Sequence, residues 1–341
     1  MLRNWKGLAA GLAASAVLLA APPLSTAMAG PVYDGKDVTL IVPNSPAGMM
    51  SRYAQTMAPL LAKALGANNV RVDNQPGAGS LKGTNALWNA DPDGMTIAFT
   101  NVPTLLVAQI AESPGVQFKA TDFVYLGRAA NDPRLILVGK DSKIRTVDDI
   151  RNLGRPFVYA SQGTDEDFYT MVVLADALGY ELKIITGFEG QADTTLAMIK
   201  GDVDGLMSGW PGMSTQIASG EAHPIVFVTP ERQPEYNGDV PTVFEYLSDE
   251  NKKKQLEAVS AILALSRGFF GPPGMDPAAV EEMRAAIETM LTDEAITKDM
   301  AEKGMPIVFM PGAEQQALVN QVFEAAADLT PLFKNALTQI Q

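Results

Sequence analysis

Short runs of β-branched and apolar residues alternate along this chain with longer amphipathic stretches, beginning at about Val38. This alternation is typical of α/β units with mostly parallel strands. Strands are predicted at residues 38–43, 70–74, 95–100, 157–161, 182–187, 205–209 and 224–229, and the apolar stretch 258–270 is predicted as one more. One helix is predicted at 51–65, and a separate short helix is predicted to end near residue 90. Two more are predicted to begin after Asp276-Pro277 and after Pro311-Gly312.

These elements fall into two groups along the chain, which predicts two α/β lobes. We expect residues 30–131 together with 259–341 to form the first lobe and residues 132–258 the second, with crossings near Ala130 and Ser260. The loops that follow the strands would then line a cleft between the lobes. Clefts of this kind bind small ligands.

The overall composition excludes several classes of protein. The 341 residues are 47% hydrophobic and 19% charged, which predicts a packed core rather than a disordered chain. The formal net charge is -13, so we expect no nucleic-acid partner. The absence of Cys excludes disulfides, thiolate metal sites and a Cys nucleophile.

The first residues have the features of a secretory signal peptide. Two basic residues precede an apolar run at 7–21, and Ala27-Met28-Ala29 places small residues where signal peptidase cleaves. A membrane anchor is the alternative, but the run is shorter than the roughly 20 residues that span a bilayer. We predict that residues 1–29 are removed before Gly30 and that the mature chain is a soluble periplasmic protein, not membrane-spanning.

The loop from Asn44 to Ser51 is the first candidate binding element. Gly48 allows the backbone to approach a ligand, and free N–H groups at the start of the following helix favour an anion. Asn44, Ser45 and Ser51 add polar groups. The alternative is an ordinary strand-to-helix turn in which Ser51 caps the helix.

The equivalent loop of the second lobe, residues 161–167, ends in consecutive acids. Asp165-Glu166-Asp167 crowds the first helical turn, where carboxylates complement the helix dipole, and this structural role is the alternative to ligand binding. The acids make this helix start a poor anion site. Phe188-Glu189 and Trp210 follow two further strands and are expected at the same cleft, with core packing as the alternative for the aromatic rings.

Enzyme chemistry finds little support. His223 is the only histidine, and a Gly-x-Ser-x-Gly nucleophile motif is absent. The glycine-containing loop 75–83 has Lys82 where a dinucleotide-binding loop has its third glycine. We therefore expect no catalytic residues, no metal site and no cofactor.

The order and spacing of several short motifs resembles the periplasmic receptors of tripartite tricarboxylate transporters, often called the Bug family. The resemblance runs along nearly the whole chain after residue 30. It rests on Ile41-Val42-Pro43 with Pro46-Ala47-Gly48, Asp73-Asn74-Gln75-Pro76-Gly77-Ala78-Gly79, Asp91-Pro92-Asp93-Gly94, Tyr159-Ala160-Ser161-Gln162-Gly163, Lys200-Gly201-Asp202, Asp239-Val240-Pro241-Thr242 and Gly268-Phe269-Phe270-Gly271-Pro272-Pro273-Gly274.

The resemblance implies an α/β, two-lobed periplasmic-binding-protein fold of type II, a Venus flytrap with the ligand cleft between its lobes. It implies a receptor that captures a small carboxylated organic solute and delivers it to a membrane permease of one large and one small subunit. Loops matching 44–51 and 161–167 hold the ligand in such receptors. The predicted ligand-binding residues are Asn44, Ser45, Ala47, Gly48, Met49, Met50, Ser51, Thr100, Asn101, Ser161, Gly163, Thr164, Asp165, Phe188, Glu189, Ser208 and Trp210.

Several positions depart from the family pattern. Relatives usually have two glycines where Ala47-Gly48 stands, an aromatic residue at Asn44, an aspartate at Ser51 and a basic residue at Glu189. The extra acids should disfavour a dicarboxylate, because like charges raise the cost of burying an anion.

We therefore hypothesise that the two loops hold different chemical groups. Loop 44–51 would hold a carboxylate or polar head. A neutral, hydroxylated or cationic end would meet Asp165, Glu189, Phe188 and Trp210.

Other functions stay open at this point. A protein of this fold could instead report its ligand to a membrane sensor kinase. An exported hydrolase is a more remote alternative and would need two carboxylates at hydrolytic spacing. Arg52 and Arg267 are candidates to neutralise an anion, with surface or interlobe salt bridges as the alternative.

Overall fold

The structure is a computed structural model, and it describes residues 31–338. The predicted signal peptide and its cleavage site lie outside these residues. Across the described part of the chain, no helix combines the length and apolar character needed to cross a membrane.

Strands and helices alternate through most of the chain. The strands are β1 Asp37–Val42, β2 Asn69–Asn74, β3 Thr96–Asn101, β4 Val124–Ala130, β5 Arg134–Gly139, β6 Phe157–Ala160, β7 Leu182–Ile185, β8 Gly205–Gly209, β9 Ala222–Phe227, β10 Arg267–Gly271 and β11 Met310–Pro311. The helices are α1 Met49–Leu65, α2 Leu81–Trp88, α3 Val102–Ile110, α4 Val147–Arg151, α5 Glu166–Leu178, α6 Gln191–Lys200, α7 Trp210–Ala218, α8 Pro234–Asn237, α9 Glu250–Ala264, α10 Pro277–Thr292, α11 Glu294–Glu302, α12 Gly312–Ala325 and α13 Thr330–Leu337.

The strands form two sheets. The first sheet has the order β11-β4-β10-β3-β1-β2, and the second has the order β7-β6-β8-β5-β9. The chain leaves the first sheet after Ala130 and enters the second at Arg134. It returns to the first sheet with β10, after the long helix α9.

The strand directions differ from the expectation of mostly parallel sheets. The pairs β1–β2, β1–β3, β6–β7 and β6–β8 are parallel, but β5 runs antiparallel to β8 and β9, and β10 runs antiparallel to β3 and β4. The strands on both sides of the first crossing, β4 and β5, were not predicted. The reversal arises because β5 and β10 enter their sheets from the crossings rather than through a βαβ unit.

The predicted strand at 258–270 is wrong. Helix α9 continues to Ala264, and only Arg267–Gly271 is extended. The N-cap residue of α9 is Asp249, whose carboxylate accepts hydrogen bonds from the backbone N–H groups of Asn251 at 2.8 Å and Lys252 at 3.3 Å. This capping signal identifies a helix where an apolar run alone does not.

Other predicted helix starts are confirmed. Asp276 accepts hydrogen bonds from the backbone of Ala278 and Ala279 and begins α10, with Pro277 at its first position. Helix α12 begins at Gly312, as the Pro311-Gly312 signal predicted.

One hydrophobic core contains residues of both sheets. It includes Tyr125 and Phe270 of the first sheet together with Ile136 and Phe157 of the second. Helix α5 follows a strand of the second sheet but packs against α3, α9 and α13. Most of α9 falls in the predicted second lobe, but this helix packs against α12 of the predicted first lobe. The boundaries 30–131 plus 259–341 and 132–258 therefore stay a prediction.

Candidate functional site

A cleft of about 420 Å³ lies where loops of the two sheets face each other. This volume is in the range of small-ligand sites. An ideal Cβ built on Gly79 would lie 3.6 Å from Thr164 Oγ1, so the loops approach closely across the cleft. The lining residues are Pro43, Asn44, Ser45, Gly48, Met49, Met50, Pro76, Gly77, Ala78, Gly79, Ser80, Asn101, Thr104, Arg134, Gln162, Gly163, Thr164, Asp165, Glu166, Asp167, Glu189, Gly190, Gln191, Met207, Ser208 and Arg267.

The first wall of the cleft includes the start of α1. Gly48 is the N-cap residue, no side chain of residues 31–338 caps the helix, and its first turn contains no acid. Its first N–H groups and the positive end of the helix dipole therefore remain available to an anion. The alternative prediction that Ser51 caps this helix is wrong, because α1 begins at Met49.

Hydrogen bonds fix the loop before α1. Asn44 Oδ1 accepts a hydrogen bond of 3.0 Å from Thr100 Oγ1, and Asn44 Nδ2 donates one of 3.3 Å to Ser80 Oγ. Ser51 is buried and donates to Asn74 Oδ1 at 3.2 Å. Asn44 therefore lines the cleft with its side chain already bonded, whereas Ser51 and Thr100 support the loop from behind.

The opposite wall carries the acidic turn, which we define as Asp165, Glu166 and Asp167 at the start of α5. Asp165 is the N-cap residue and accepts a hydrogen bond of 3.0 Å from the backbone N–H of Phe168. The structural role expected for these acids at a helix start is therefore present. The cleft thus lies between one helix start without acids and one with three.

Glu166 connects this turn to the first sheet. Its carboxylate accepts hydrogen bonds from Asn101 Nδ2 at 2.7 Å and Thr104 Oγ1 at 2.5 Å, and it forms an ion pair with Arg134. Glu166 is 3% exposed, so this network replaces water around a buried charge. The amide of Asn101, a predicted ligand-binding residue, is therefore already bonded to protein.

Arg134 also contacts Asp167. Arg134 Nε lies 3.1 Å from Asp167 Oδ1. Burial alone would lower the pKa of Arg134, but the charges of Asp167 and Glu166 outweigh it and raise that pKa. The Arg134 guanidinium thus contacts two buried carboxyl groups, those of Glu166 and Asp167.

Crowding of negative charge changes the titration of the acidic turn. Burial, with the nearby Glu166 carboxylate, raises the pKa of Asp165 to about 7. Burial also raises the pKa of Asp167 well above its usual range, although the Arg134 charge opposes the shift. Asp165 and Asp167 therefore hold their protons at a higher pH than ordinary aspartates do.

Arg267 lies on the first wall. Its Nη2 is 2.5 Å from Asp132 Oδ2, and its guanidinium carbon is 5.0 Å from the centre of the Tyr53 ring in α1. Arg267 Nε and Nη1 are buried and have no hydrogen-bond acceptor within residues 31–338. Of the two candidate anion partners, Arg267 lines the cleft and Arg52 does not.

Eleven of the predicted ligand-binding residues line the cleft, and six do not. The lining residues are Asn44, Ser45, Gly48, Met49, Met50, Asn101, Gly163, Thr164, Asp165, Glu189 and Ser208. Those outside the lining are Ala47, Ser51, Thr100, Ser161, Phe188 and Trp210.

The outside residues have structural contacts instead. Ser161 is buried and donates a hydrogen bond of 2.7 Å to the Gly163 carbonyl. Trp210 stacks on Phe227 with ring centres 5.8 Å apart, and Phe188 packs against the same hydrophobic cluster. The structure therefore does not place either aromatic ring where the hypothesis expected it to meet a solute.

Sequence reasoning missed several lining residues. As a binding element, the loop Pro76–Ser80 was considered only for a dinucleotide, although its glycines fit a close backbone approach to other ligands. Arg134 was not singled out, but three consecutive acids are themselves a signal that a basic residue lies nearby. Gln191 and Met207 carried no recognisable signal.

The comparisons identify the protein family. Residues 53–331 match the tripartite tricarboxylate transporter family receptor. The chain belongs to this receptor family. A relative from Agrobacterium vitis, the UPF0065 protein in the TAR-I ttuE-ttuC' intergenic region, is 27% identical over 321 residues, which cover 92% of this chain and 88% of the relative.

Solved receptors share the fold. The periplasmic binding protein BugD is 22% identical with a TM-score of 0.71, and the match covers 89% of this chain and 98% of BugD. MatC from Rhodopseudomonas palustris, solved with bound malate, is 21% identical with a TM-score of 0.71, covering 87% and 99% of the two chains. The predicted two-lobed α/β fold is therefore confirmed, and the protein is a solute-binding receptor of this family.

Proposed function

We propose that the mature chain captures a small carboxylate-bearing organic solute in the periplasm and delivers it to a tripartite membrane permease. The observation that carries the proposal is the first wall of the cleft, where the acid-free start of α1 lies on the same side as Arg267, whose Nε and Nη1 have no acceptor among the described residues. Both features favour a carboxylate. The malate bound to the similar MatC supports this ligand class.

The binding role of the eleven lining residues belongs to the same proposal. The backbone N–H groups of Met49 and Met50 would hold the carboxylate, with Ser45 adding a hydroxyl group. Binding between the two walls would favour the closed arrangement of the lobes, which is how a ligand-loaded receptor differs from an empty one.

A binding experiment tests the proposal. The chain beginning at Gly30 would be titrated calorimetrically with mono- and dicarboxylates, amino acids, neutral sugars and amines. The Ser45→Asp variant places an acid beside the α1 start and should weaken carboxylate binding about tenfold or more. Ser248→Asp adds the same charge at an exposed position outside the cleft and should leave binding unchanged.

The outcome that contradicts the proposal is equally specific. Selective binding of neutral sugars, or equal effects of the two variants, would remove the carboxylate assignment. Turnover of a bound solute would instead revive the hydrolase alternative.

The permease partner needs a separate assay. Membranes containing the large and small permease subunits should retain the ligand-loaded chain more strongly than the empty chain. Retention by a membrane sensor kinase, and not by the permease, would favour the sensing alternative. The mass of the exported protein should show Gly30 at its N-terminus.

A further inference from the structure

The charges that line the cleft are unevenly divided between its two walls. The acidic turn and Glu189 place four carboxylates on the wall of the second sheet. Arg134 is bonded to Glu166, and Arg267 on the first wall is paired with Asp132. The second negative charge of a plain dicarboxylate would disfavour the charged form of these acids further, whereas a positive charge would favour it.

Asp167 is the least satisfied of these acids. It is 8% exposed, and its buried Oδ1 has no hydrogen-bond partner within residues 31–338. Arg134 Nε is 3.1 Å from Oδ1 but does not point along a hydrogen bond to it. A ligand that brings N–H donors and positive charge would stabilise the charged form of this buried carboxyl group.

The first wall has the complementary requirement. Arg267 is 6% exposed, and its Nε and Nη1 lack acceptors among the described residues, while the α1 start adds free N–H groups. These donors need a carboxylate. The first wall thus favours a negatively charged group, and the second wall favours a positively charged group on the same small molecule.

The uncharged residues of the cleft lining indicate which type of cationic group fits the cleft. None of the cleft-lining residues of the described chain is Phe, Tyr, Trp or His. A quaternary ammonium group is usually recognised by aromatic faces, since it has no N–H to donate. An acid such as Asp167, whose Oδ1 has no hydrogen-bond partner within the described chain, instead favours a primary or secondary ammonium group.

We propose that the solute is a small aminocarboxylate, with its carboxylate bound at Arg267 and the α1 start and its N–H-bearing ammonium group bound by Asp167 and Asp165. This inference rests on the proposed receptor function and specifies its substrate class. It also assigns the acidic turn a selective role in addition to its role at the start of α5.

Matched solutes test the inference by calorimetric titration of the mature chain. One set is succinate, α-aminobutyrate, γ-aminobutyrate and the N-trimethyl derivative of γ-aminobutyrate. The second set is glutarate, δ-aminovalerate and its N-trimethyl derivative. At least one primary amine should bind about tenfold or more tightly than both the dicarboxylate and the N-trimethyl compound of its set.

Two variants on the same helix separate charge recognition from folding. Asp167→Asn should weaken binding of that amine about tenfold or more and should bring the dicarboxylate closer to it in affinity. Asp176→Asn removes an acid whose side chain is exposed and paired with Lys252, so it should change neither affinity. Thermal unfolding without ligand verifies that both variants fold, and Asp165→Asn, which keeps a capping side chain, provides a second test.

The possible results are distinguishable. If a dicarboxylate binds the unmodified chain most tightly, or if Asp167→Asn leaves amine binding unchanged, the aminocarboxylate inference is wrong and the receptor function stands. If the N-trimethyl compound binds best, the N–H requirement is wrong. If no solute of either set or malate binds, both the inference and the proposed function lose their support.

Discussion

Asn101 donates a hydrogen bond of 2.7 Å to Glu166 and thereby joins the end of β3 in the first sheet to the start of α5, which follows β6 of the second. Thr104 and Arg134 bind the same carboxylate. Glu166 therefore occupies polar groups of the cleft that a solute carboxylate would otherwise contact. If the lobes open at this place, the hydrogen bonds to Glu166 have to break, or the bonded groups have to move as one unit.

The first prediction concerns the stability of this junction. Glu166→Gln should lower the free energy of unfolding by about 3 kcal/mol, because removing one partner leaves buried Arg134 with less compensation. Urea unfolding would measure the change. Asp176→Asn breaks the ion pair with Lys252, whose two side chains are more exposed than those of Glu166 and Arg134. This variant should lower the free energy of unfolding by less than about 1 kcal/mol. Equal losses in the two variants would mean that the junction contributes no special stability.

The second prediction concerns pH. The pKa of Asp165 is about 7 in the folded chain and 3.8 in its ordinary state, so the folded chain binds the proton more tightly than the unfolded chain between these values. Stability from this group is therefore complete below about pH 4 and falls as the pH rises towards about 7. The ionisable groups that interact with Asp165 are those of Glu166, Arg134, Asp167 and Tyr159.

Comparison with Asp165→Asn isolates this contribution from other ionisable groups. The variant keeps an N-cap side chain but has no proton to lose. Its stability relative to the unmodified chain should rise between about pH 5 and about pH 8, by on the order of 2 kcal/mol. Thermal unfolding at both pH values measures the difference. A constant difference would show that Asp165 titrates normally.

The sequence predicts the local units better than their assembly. Residues 205–209 and 157–161 are short apolar runs with clear ends, and β8 and β6 lie there. Strand β4 was missed because Gly127, Arg128 and successive alanines weaken its β pattern. The antiparallel entry of β10 depends on partners far along the chain, which local periodicity does not reveal.

The candidate site shows the same division. Loops 44–51 and 161–167 were found because glycines and polar residues follow predicted strands, and both reach the cleft. Trp210 follows a strand in the same way, but its ring turns to Phe227. Side-chain direction is set by packing, so position along the chain alone could not distinguish these cases.

The third prediction concerns the packing behind the cleft. A Cβ on Gly83 in α2 would lie 2.8 Å from Pro43 Cβ and 3.1 Å from the Gln75 carbonyl, closer than atoms can approach without movement. Gly83→Ala should therefore destabilise the chain by about 1–3 kcal/mol and weaken solute binding, because both contacted loops border the cleft. At Gly238 the nearest atom would be 3.5 Å away, and Gly238→Ala should change stability by less than about 0.5 kcal/mol. Urea unfolding and calorimetry would distinguish the two variants.

The fourth prediction concerns Arg267 and the carboxylate end of the solute. Arg267→Lys keeps a positive charge near Asp132 but removes the planar donors that have no acceptor within the described chain. Carboxylate affinity should fall about tenfold or more, since an ammonium group cannot reproduce bidentate contact. Arg155→Lys makes the same exchange at an exposed side chain paired with Asp204 outside the cleft and should leave affinity unchanged. If Arg267→Lys binds carboxylates as tightly as the unmodified chain, the start of α1 alone holds the anion and Arg267 serves only to neutralise Asp132.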